Sequence, residues 1–420
     1  MRLIADLHVH SKYAMACSKK LELPAIAEWA EKKGIDLVGT SDFTHPAWFA
    51  SMSSLLEPSP TESGLYRLKT QPATRFMCTS EVACIYSRGG SVRRVHLLLF
   101  APSLEVVGEL NAALTKRGAK LGSDGRPILG MDSEELLRIM LAIDPRCFMV
   151  PAHAWTPWFA IFGSKSGFDT IEECFGELTP HITAIETGMS SDPMMNWRLS
   201  MLDNITLISN SDAHSLPHLG REANVFEGER ATYEDVIGAL RKRMYPETET
   251  SLTLTGTIEF FPEEGRYHVD GHRACDVRME PEETKKHKGI CPRCNRPLTI
   301  GVMNRVAELA DRAVGVQPAN APPFKSIVPL EELIALSFGV GVHSKKVQAE
   351  YERIVSQTPE FDVLLSTSYD DLGVYIPERI VSAIHHVRDG SVKIVPGYDG
   401  VYGVVDVFGN AKSEKQHTLL

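Results

Sequence analysis

No apolar run of about 18 residues, the length a helix needs to cross a bilayer, occurs in this 420-residue chain, so a membrane-spanning helix is not expected. A basic leader with a short apolar centre is missing as well. Met1-Arg2-Leu3-Ile4-Ala5-Asp6-Leu7 reads as a strand, and a cytoplasmic location with no membrane partner is expected. Positive charge is in short supply: 44 Lys and Arg stand against 54 Asp and Glu, a formal net charge of -10. That balance excludes a generally adhesive nucleic-acid coat, because phosphate contacts need cations to displace counterions. The stretch from Arg266 to Arg312 is locally basic, however. A disulfide framework is also lacking. Of the eight cysteines, Cys17, Cys78, Cys84, Cys147 and Cys174 are scattered through apolar stretches as reduced core thiols, and only Cys275, Cys291 and Cys294 cluster. No repeat at solenoid spacing is present.

What the chain does have is 43% hydrophobic residues, enough for one large domain and smaller appendages. Residues 1–245 alternate β-rich apolar runs with amphipathic segments. Strands are predicted over Leu3–Val9, Asp36–Ser41, Phe76–Tyr86, Val95–Ala101, Cys147–Ala152, Ile182–Thr187 and Ile205–Ser211. Helical spacing marks Pro24–Lys33, Glu105–Lys116, Ser133–Leu141 and Tyr233–Arg243. Seven such units predict an α/β fold with a closed or nearly closed (β/α)7 barrel of parallel strands. A polar, Thr-rich stretch from Tyr245 to Thr257 then leads into a Cys/His module over 258–314. Gly315–Pro329, with Gln-Pro-Ala-Asn-Ala-Pro-Pro, is a semi-rigid connector to a small α+β C-terminal region over 330–410 that ends in a polar tail.

In α/β barrels functional side chains collect where the strands end. His8 and His10 end the first predicted strand, Asp42 the second, Glu81 lies in the third and His96 in the fourth. His153 ends the fifth, Glu186 the sixth, and Asp212 and His214 the seventh. His-x-His at strand spacing turns both imidazoles to one side, as a shared metal requires, and Asp212-Ala213-His214 repeats that geometry. One histidine on a strand is usually a hydrogen-bonded core residue. An ionisable group on every strand end is different, because burying so many together without cations is strongly unfavourable. Mixed imidazole and carboxylate ligands suit Zn, Mn or Fe, and their number calls for more than one ion. Such centres clamp a phosphoryl oxygen and ionise a bound water, so phosphoester hydrolysis follows.

The ordered motifs Asp6-Leu7-His8-Val9-His10-Ser11, Thr40-Ser41-Asp42, Glu81, His96, Pro151-Ala152-His153 and Ser211-Asp212-Ala213-His214 resemble those of the PHP (polymerase and histidinol phosphatase) superfamily. The resemblance implies a PHP-type barrel in which His8, His10, Glu81 and Asp212 hold one metal, and Glu81, His96 and His153 a second. It also implies a third, held by His214 with a partner from the second strand. The usual Asp-His after that strand is here Asp42-Phe43, with His45 two residues on, so Asp42 is the expected partner and His45 the alternative. The implied catalytic group is His8, His10, Glu81, His153, Asp212 and His214. The implied cofactors are two or three zinc ions, with Mn, Mg or Fe in part.

His272-x-x-Cys275 and Cys291-Pro-Arg-Cys294, separated by 15 residues, suit a tetrahedral structural zinc, with His268 and His287 as competitors for the fourth place. Trp155, Trp158 and Phe159 follow His153. There they either stack on a base or shield the site and pack the core. Phe338-Gly-Val-Gly-Val-His-Ser344 is either a phosphate-facing turn or a plain helical hairpin.

A small-molecule phosphatase needs only the barrel, and the added parts suggest a large substrate. Tyr267–Cys275, Cys291–Val302 with Arg305–Arg312, and Pro396–Gly403 are similar to stretches of the endonuclease Q family of lesion-specific DNA nucleases. That resemblance implies cleavage of the phosphodiester 5′ of a deaminated base (uracil, hypoxanthine or xanthine) or an abasic site. The implied substrate is double- or single-stranded DNA gripped partly by 330–410, with replication or repair clamp proteins as further partners. The long loops Thr44–Arg75 and Ala154–Thr170 are the expected pocket walls. Two competing readings are a phosphatase of a small phosphomonoester and a non-catalytic nucleic-acid scaffold.

Overall fold

A computed structural model describes residues 1–71 and 73–409; the polar tail, with the expected end of the C-terminal region at 410, lies outside them. The first strand, Arg2–Asp6, pairs in parallel with Leu37–Gly39, which pairs in parallel with Arg75–Met77. The chain runs on into Thr79–Arg88, then Ser91–Phe100 and Phe148–Pro151, while Ala184–Glu186 pairs in parallel with Thr206–Ile208. The ladders are interrupted and no closed barrel ladder forms, although single contacts join some strand ends. Ala154 N–H donates to Glu186 O at 2.9 Å, Thr187 N–H to Ile208 O at 2.9 Å, and Val9 bridges in parallel to Ala213. Leu3, Ala5, Leu37, Leu98, Phe148, Ala184 and Ile208 belong to one buried cluster drawn from these strands. This is an α/β fold, as the sequence implied.

Not all of the ring is parallel, which corrects the simple (β/α)7 expectation. Ser91–Phe100 runs antiparallel to both Thr79–Arg88 and Phe148–Pro151. Its cause is local: Gly89 and Gly90, at φ of 61° and 77°, close a two-residue hairpin between Arg88 and Ser91, which replaces a helical crossover. The Thr44–Arg75 connection is not a bare loop either. It carries the helix Pro46–Leu55 and the hairpin Leu56–Pro58 with Leu65–Leu68.

The sheet continues past residue 245. Ala223–Gly228 lies antiparallel to the first strand, Leu252–Glu259 lies beside it, and Phe324–Ser326 forms the edge. The predicted helices appear as Leu23–Lys33, Leu104–Lys116, Ser133–Ile143 and Tyr233–Arg241. Each buries one apolar stripe, and Ser103, Asp132 and Thr232 cap the last three through their side chains. The Cys/His module is a hairpin, Asp270–His272 with Val277–Met279, over a core of Val277, Met279, Cys291 and Leu298. Five helices follow between Leu330 and Arg388. The chain then returns through Lys393–Val395 and Val404–Asp406, and Tyr398 bridges to Val269 of the module. Among the described residues no helix is long and apolar enough to cross a membrane.

Candidate metal centre

Three backbone reversals aim the strand-end side chains inward. Asp42, His153 and Asp212 all have positive φ (32°, 29° and 46°), a strained choice for residues with a Cβ that clusters at functional sites. His8 and His10 are fully buried just beyond the first strand. Nε2 of His8 lies 3.5 Å from Glu81 Oε2 and 3.6 Å from Asp212 Oδ1. Nε2 of His10 lies 3.1 Å and 2.9 Å from the same two atoms. The other oxygen of Glu81 is 2.6 Å from His96 Nδ1 and 3.1 Å from His153 Nε2. Glu81 therefore joins two groups, His8–His10–Glu81–Asp212 and Glu81–His96–His153, each with its ligand atoms within 4.8 Å of one another.

These residues fit divalent cations. His8 Nε2, His10 Nε2 and Asp212 Oδ1 are buried and crowd one spot within reach of one another yet without an aligned hydrogen bond, an arrangement costly without a positive charge there. The opposite edges of both rings are anchored, His8 Nδ1 by Glu186 Oε1 at 3.0 Å and His10 Nδ1 by Asp42 Oδ1 at 3.1 Å. Carboxylate backing of this kind orients a ligating imidazole. Burial works to raise the Glu81 carboxyl, but His96, Arg126 and His8 hold it well below the usual range. Asp212 goes down as well, where His10 and His8 outweigh burial. Burial brings His96 down to about 4, leaving a neutral imidazole with a free lone pair at neutral pH. His8 and His10 go up despite burial, because Glu186 and Glu81 act on the first and Asp42 on the second.

The expected third set does not assemble among the described residues. Asp42 spends one oxygen on His10, and its Oδ2 accepts from Ser11 N–H at 2.7 Å and the Ser11 hydroxyl at 2.5 Å, so both of its oxygens are engaged. His45 begins the Pro46–Leu55 helix and stacks on Tyr13 at 4.2 Å. His214 stands at the rim with its ring 4.7 Å from His10 and Nδ1 facing the carbonyl of Asp212 at 2.7 Å.

The two tryptophans part company. Trp155 is 1% exposed, donates to Asn196 Oδ1 and packs on Phe162, which corrects its reading as a stacking surface. Trp158 is 43% exposed. Sequence reasoning missed Arg126, whose Nη1 sits 3.0 Å from Glu81 Oε2. It belongs to no motif. Glu186 carried little weight alone in the sequence, yet it is fully buried and holds both His8 and the backbone N–H of His153.

In the small module His272, Cys275, Cys291 and Cys294 bring their ligand atoms within 4.8 Å, with His272 Nδ1 3.3 Å from Cys294 Sγ. Burial would raise the Cys291 thiol, but the backbone N–H groups of Arg293 and Cys294 bring it down to about 6. His268 and His287 stay out of this group. The four residues suit one tetrahedral zinc.

A family model described as PHP-associated matches residues 196–245, and one described as the MJ0043 C-terminal domain matches residues 329–391. Over 259 residues the chain is 31% identical to the uncharacterised protein MJ0043 of Methanocaldococcus jannaschii, which accounts for 60% of this chain but only 31% of that relative's length. It is 26% identical to the uncharacterised protein YqxK of Bacillus subtilis, over 96% of this chain and 99% of that one. The lesion-specific endonuclease PfuEndoQ from Pyrococcus furiosus superposes with a TM-score of 0.85 at 30% identity, over 98% of both chains. The chain belongs to the endonuclease Q family. An endonuclease Q in complex with a 27-mer duplex, with an abasic lesion at its active site, superposes with a TM-score of 0.83 at 30% identity, over 99% of this chain and all of that one. The likeness to endonuclease Q thus extends through the barrel, the Cys/His module and the helical region.

Proposed function

We propose that this endonuclease Q family member is a metal-dependent DNA endonuclease that hydrolyses the phosphodiester 5′ of a deaminated base or an abasic site. The observation that carries the reading is Glu81, one fully buried carboxylate whose two oxygens serve two separate ligand groups. The full-length likeness to an endonuclease Q holding an abasic duplex supports DNA as the substrate. Two cations would be held by His8, His10, Glu81 and Asp212, and by Glu81, His96 and His153. When bound they supply a water of lowered pKa and positive charge beside the phosphate. Around them Glu186 and Asp42 fix the two imidazoles of the first strand. His214, with a side chain 29% exposed, can pass a proton between the centre and solvent. The zinc module and the helices after Leu330 hold the duplex in this reading, and extrusion of the damaged nucleotide exposes its altered edge.

The test is cleavage of duplexes carrying an abasic site, uracil, hypoxanthine or xanthine, beside an undamaged duplex and a phosphomonoester. Incision on the 5′ side of the lesion, lost in Asp212→Asn with DNA affinity retained, is expected. Turnover of the phosphomonoester alone, or equal cutting of undamaged DNA, would refute the assignment.

A further inference from the structure

Beyond the metal centre the surface carries an unexplained run of aromatic rings and guanidinium groups. It begins at Trp158, five residues after the ligand His153 and coupled to it, since Thr156 Oγ1 lies 3.1 Å from His153 Nδ1 and donates to Trp158 O at 2.9 Å. Trp158 meets Tyr267 of the zinc module edge-on, with ring centroids 5.7 Å apart. The preceding residue, Arg266, lies over the ring of Tyr402 at 4.7 Å, and Tyr402 is 61% exposed. Arg273 and Arg278 are exposed beside them. Gly400, whose N–H donates to Arg266 O, lies beside Arg273 Nη1 and the Tyr267 hydroxyl. Arg278 donates to Pro396 O at 3.2 Å and lies over Tyr398, whereas no carboxylate among the described residues pairs with the guanidinium of Arg266 or Arg273.

In a protein of net charge -10, guanidinium groups free of carboxylate partners beside the exposed rings of Trp158 and Tyr402 and the half-buried Tyr267 suit an anionic partner with flat faces. Nucleic acid supplies both, since bases stack on exposed rings whatever their sequence and phosphates meet the cations. Folded protein surfaces offer no regular alternation of planar faces and negative charge. We propose that Trp158, Tyr267, Arg266 and Tyr402 form a stacking track that grips the unpaired DNA strand next to the lesion and leads it into the metal centre. This inference rests on the DNA-endonuclease reading and adds where the opened strand lies. The track spans the joint between the barrel loop and the zinc module, so strand binding would also lock the two parts together.

The experiment uses the full chain with the Asp212→Asn substitution, expected to bind without cutting, and an abasic duplex carrying 2-aminopurine beside the lesion. Base stacking on a ring is removed by alanine at a cost of about tenfold in affinity. Tyr402→Ala and Trp158→Ala should each weaken binding by about that factor and restore part of the quenched 2-aminopurine fluorescence. Arg266→Ser with Arg273→Ser should flatten the dependence of log affinity on log salt by roughly one to two units. Because Tyr402 is largely exposed, its variant should keep the parent melting temperature, which separates a binding role from a packing one. Unchanged affinity and fluorescence in both aromatic variants, while the unsubstituted protein still cuts the abasic duplex, would overturn the track alone. If the unsubstituted protein neither binds nor cuts any lesion duplex, the track and the nuclease reading fall together.

Discussion

Arg126 Nη1 donates to Glu81 Oε2 at 3.0 Å, and the same oxygen faces Nε2 of His10 at 3.1 Å. Arg126 is thus a permanent cation beside the carboxylate that joins both ligand groups. Glu81 above all, with Asp212 adding to it, holds it firmly protonated against the opposing effect of burial. Without metal ions Arg126 offsets Glu81; with ions bound, that duty is shared. Arg126→Met should therefore cost the metal-free protein on the order of 2 kcal/mol, a figure reduced for partial exposure from the usual loss when a buried pair is broken. The loaded protein should lose much less. Calorimetry with and without chelator checks this, and equal losses in both states would mean that Arg126 acts only by packing.

The sequence revealed the centre wherever ligand spacing and strand alternation coincide. His8 and His10 are of this kind, because residues two positions apart on extended chain share a side; Cys291-x-x-Cys294 was legible instead as a zinc-knuckle spacing. It fell short where a neighbour decides the outcome. Asp42 looks like a ligand at a strand end, but the backbone N–H of Ser11, far away in sequence, captures its second oxygen. Trp155 and Trp158 are three residues apart in one loop, and only the tertiary fold assigns the first to Asn196 and the second to solvent. The Gly89-Gly90 turn was visible as a pair of glycines. The count of seven units nevertheless suggested uniform crossovers, where a hairpin reverses the fourth strand.

Glu222 and Glu259 are fully buried carboxyls; burial, and then the charge of Glu259, push Glu222 well above the usual carboxyl range. For Glu259 burial is the larger cause, bringing it up to about 8, while the hydroxyls of Thr257, Ser209 and Thr187 oppose the shift. A carboxyl raised in the fold contributes stability that is complete below its unfolded value, near 4.5, and disappears as the pH rises through the folded value. Stability should accordingly fall from pH 5 to about pH 8, by an amount on the order of a few kcal/mol. Glu259→Gln keeps the hydrogen bonds without the charge. It should flatten that slope, as measured by urea midpoints at each pH, and a parallel slope in the variant would refute the linkage.

The zinc module buries few apolar side chains of its own, with Val277, Met279, Cys291 and Leu298 as its core. A core that small does not hold a fold without a metal crosslink, and zinc bound only by the folded form contributes directly to folding. Cys291→Ser should release zinc, detected by a colorimetric chelator. It should also expose the Arg266–Arg278 segment to protease and weaken affinity for an abasic duplex by about tenfold or more, because the module faces Trp158. Retention of one zinc per chain at that site in the variant would exclude Cys291 as a ligand.

Lys33, at the end of the first barrel helix, places Nζ 2.7 Å from Glu360 Oε2 in the C-terminal helical region, and each residue is 2% exposed. Glu360 also accepts from the Tyr351 hydroxyl at 2.8 Å and the backbone N–H of Leu330 at 3.0 Å. The pair therefore latches two helices and the connector's end onto the barrel. Breaking a buried pair on one side strands the other charge at a cost of roughly 3–5 kcal/mol, whereas removing both charges is often close to neutral. Lys33→Met alone should thus destabilise the chain strongly and open the 315–329 connector to proteolysis. Adding Glu360→Gln, which retains the bonds to Tyr351 and Leu330, should recover more than half of the loss. The coupling energy from the double-mutant cycle is the deciding quantity. A value near zero would mean that the helical region is held to the barrel by apolar contact alone.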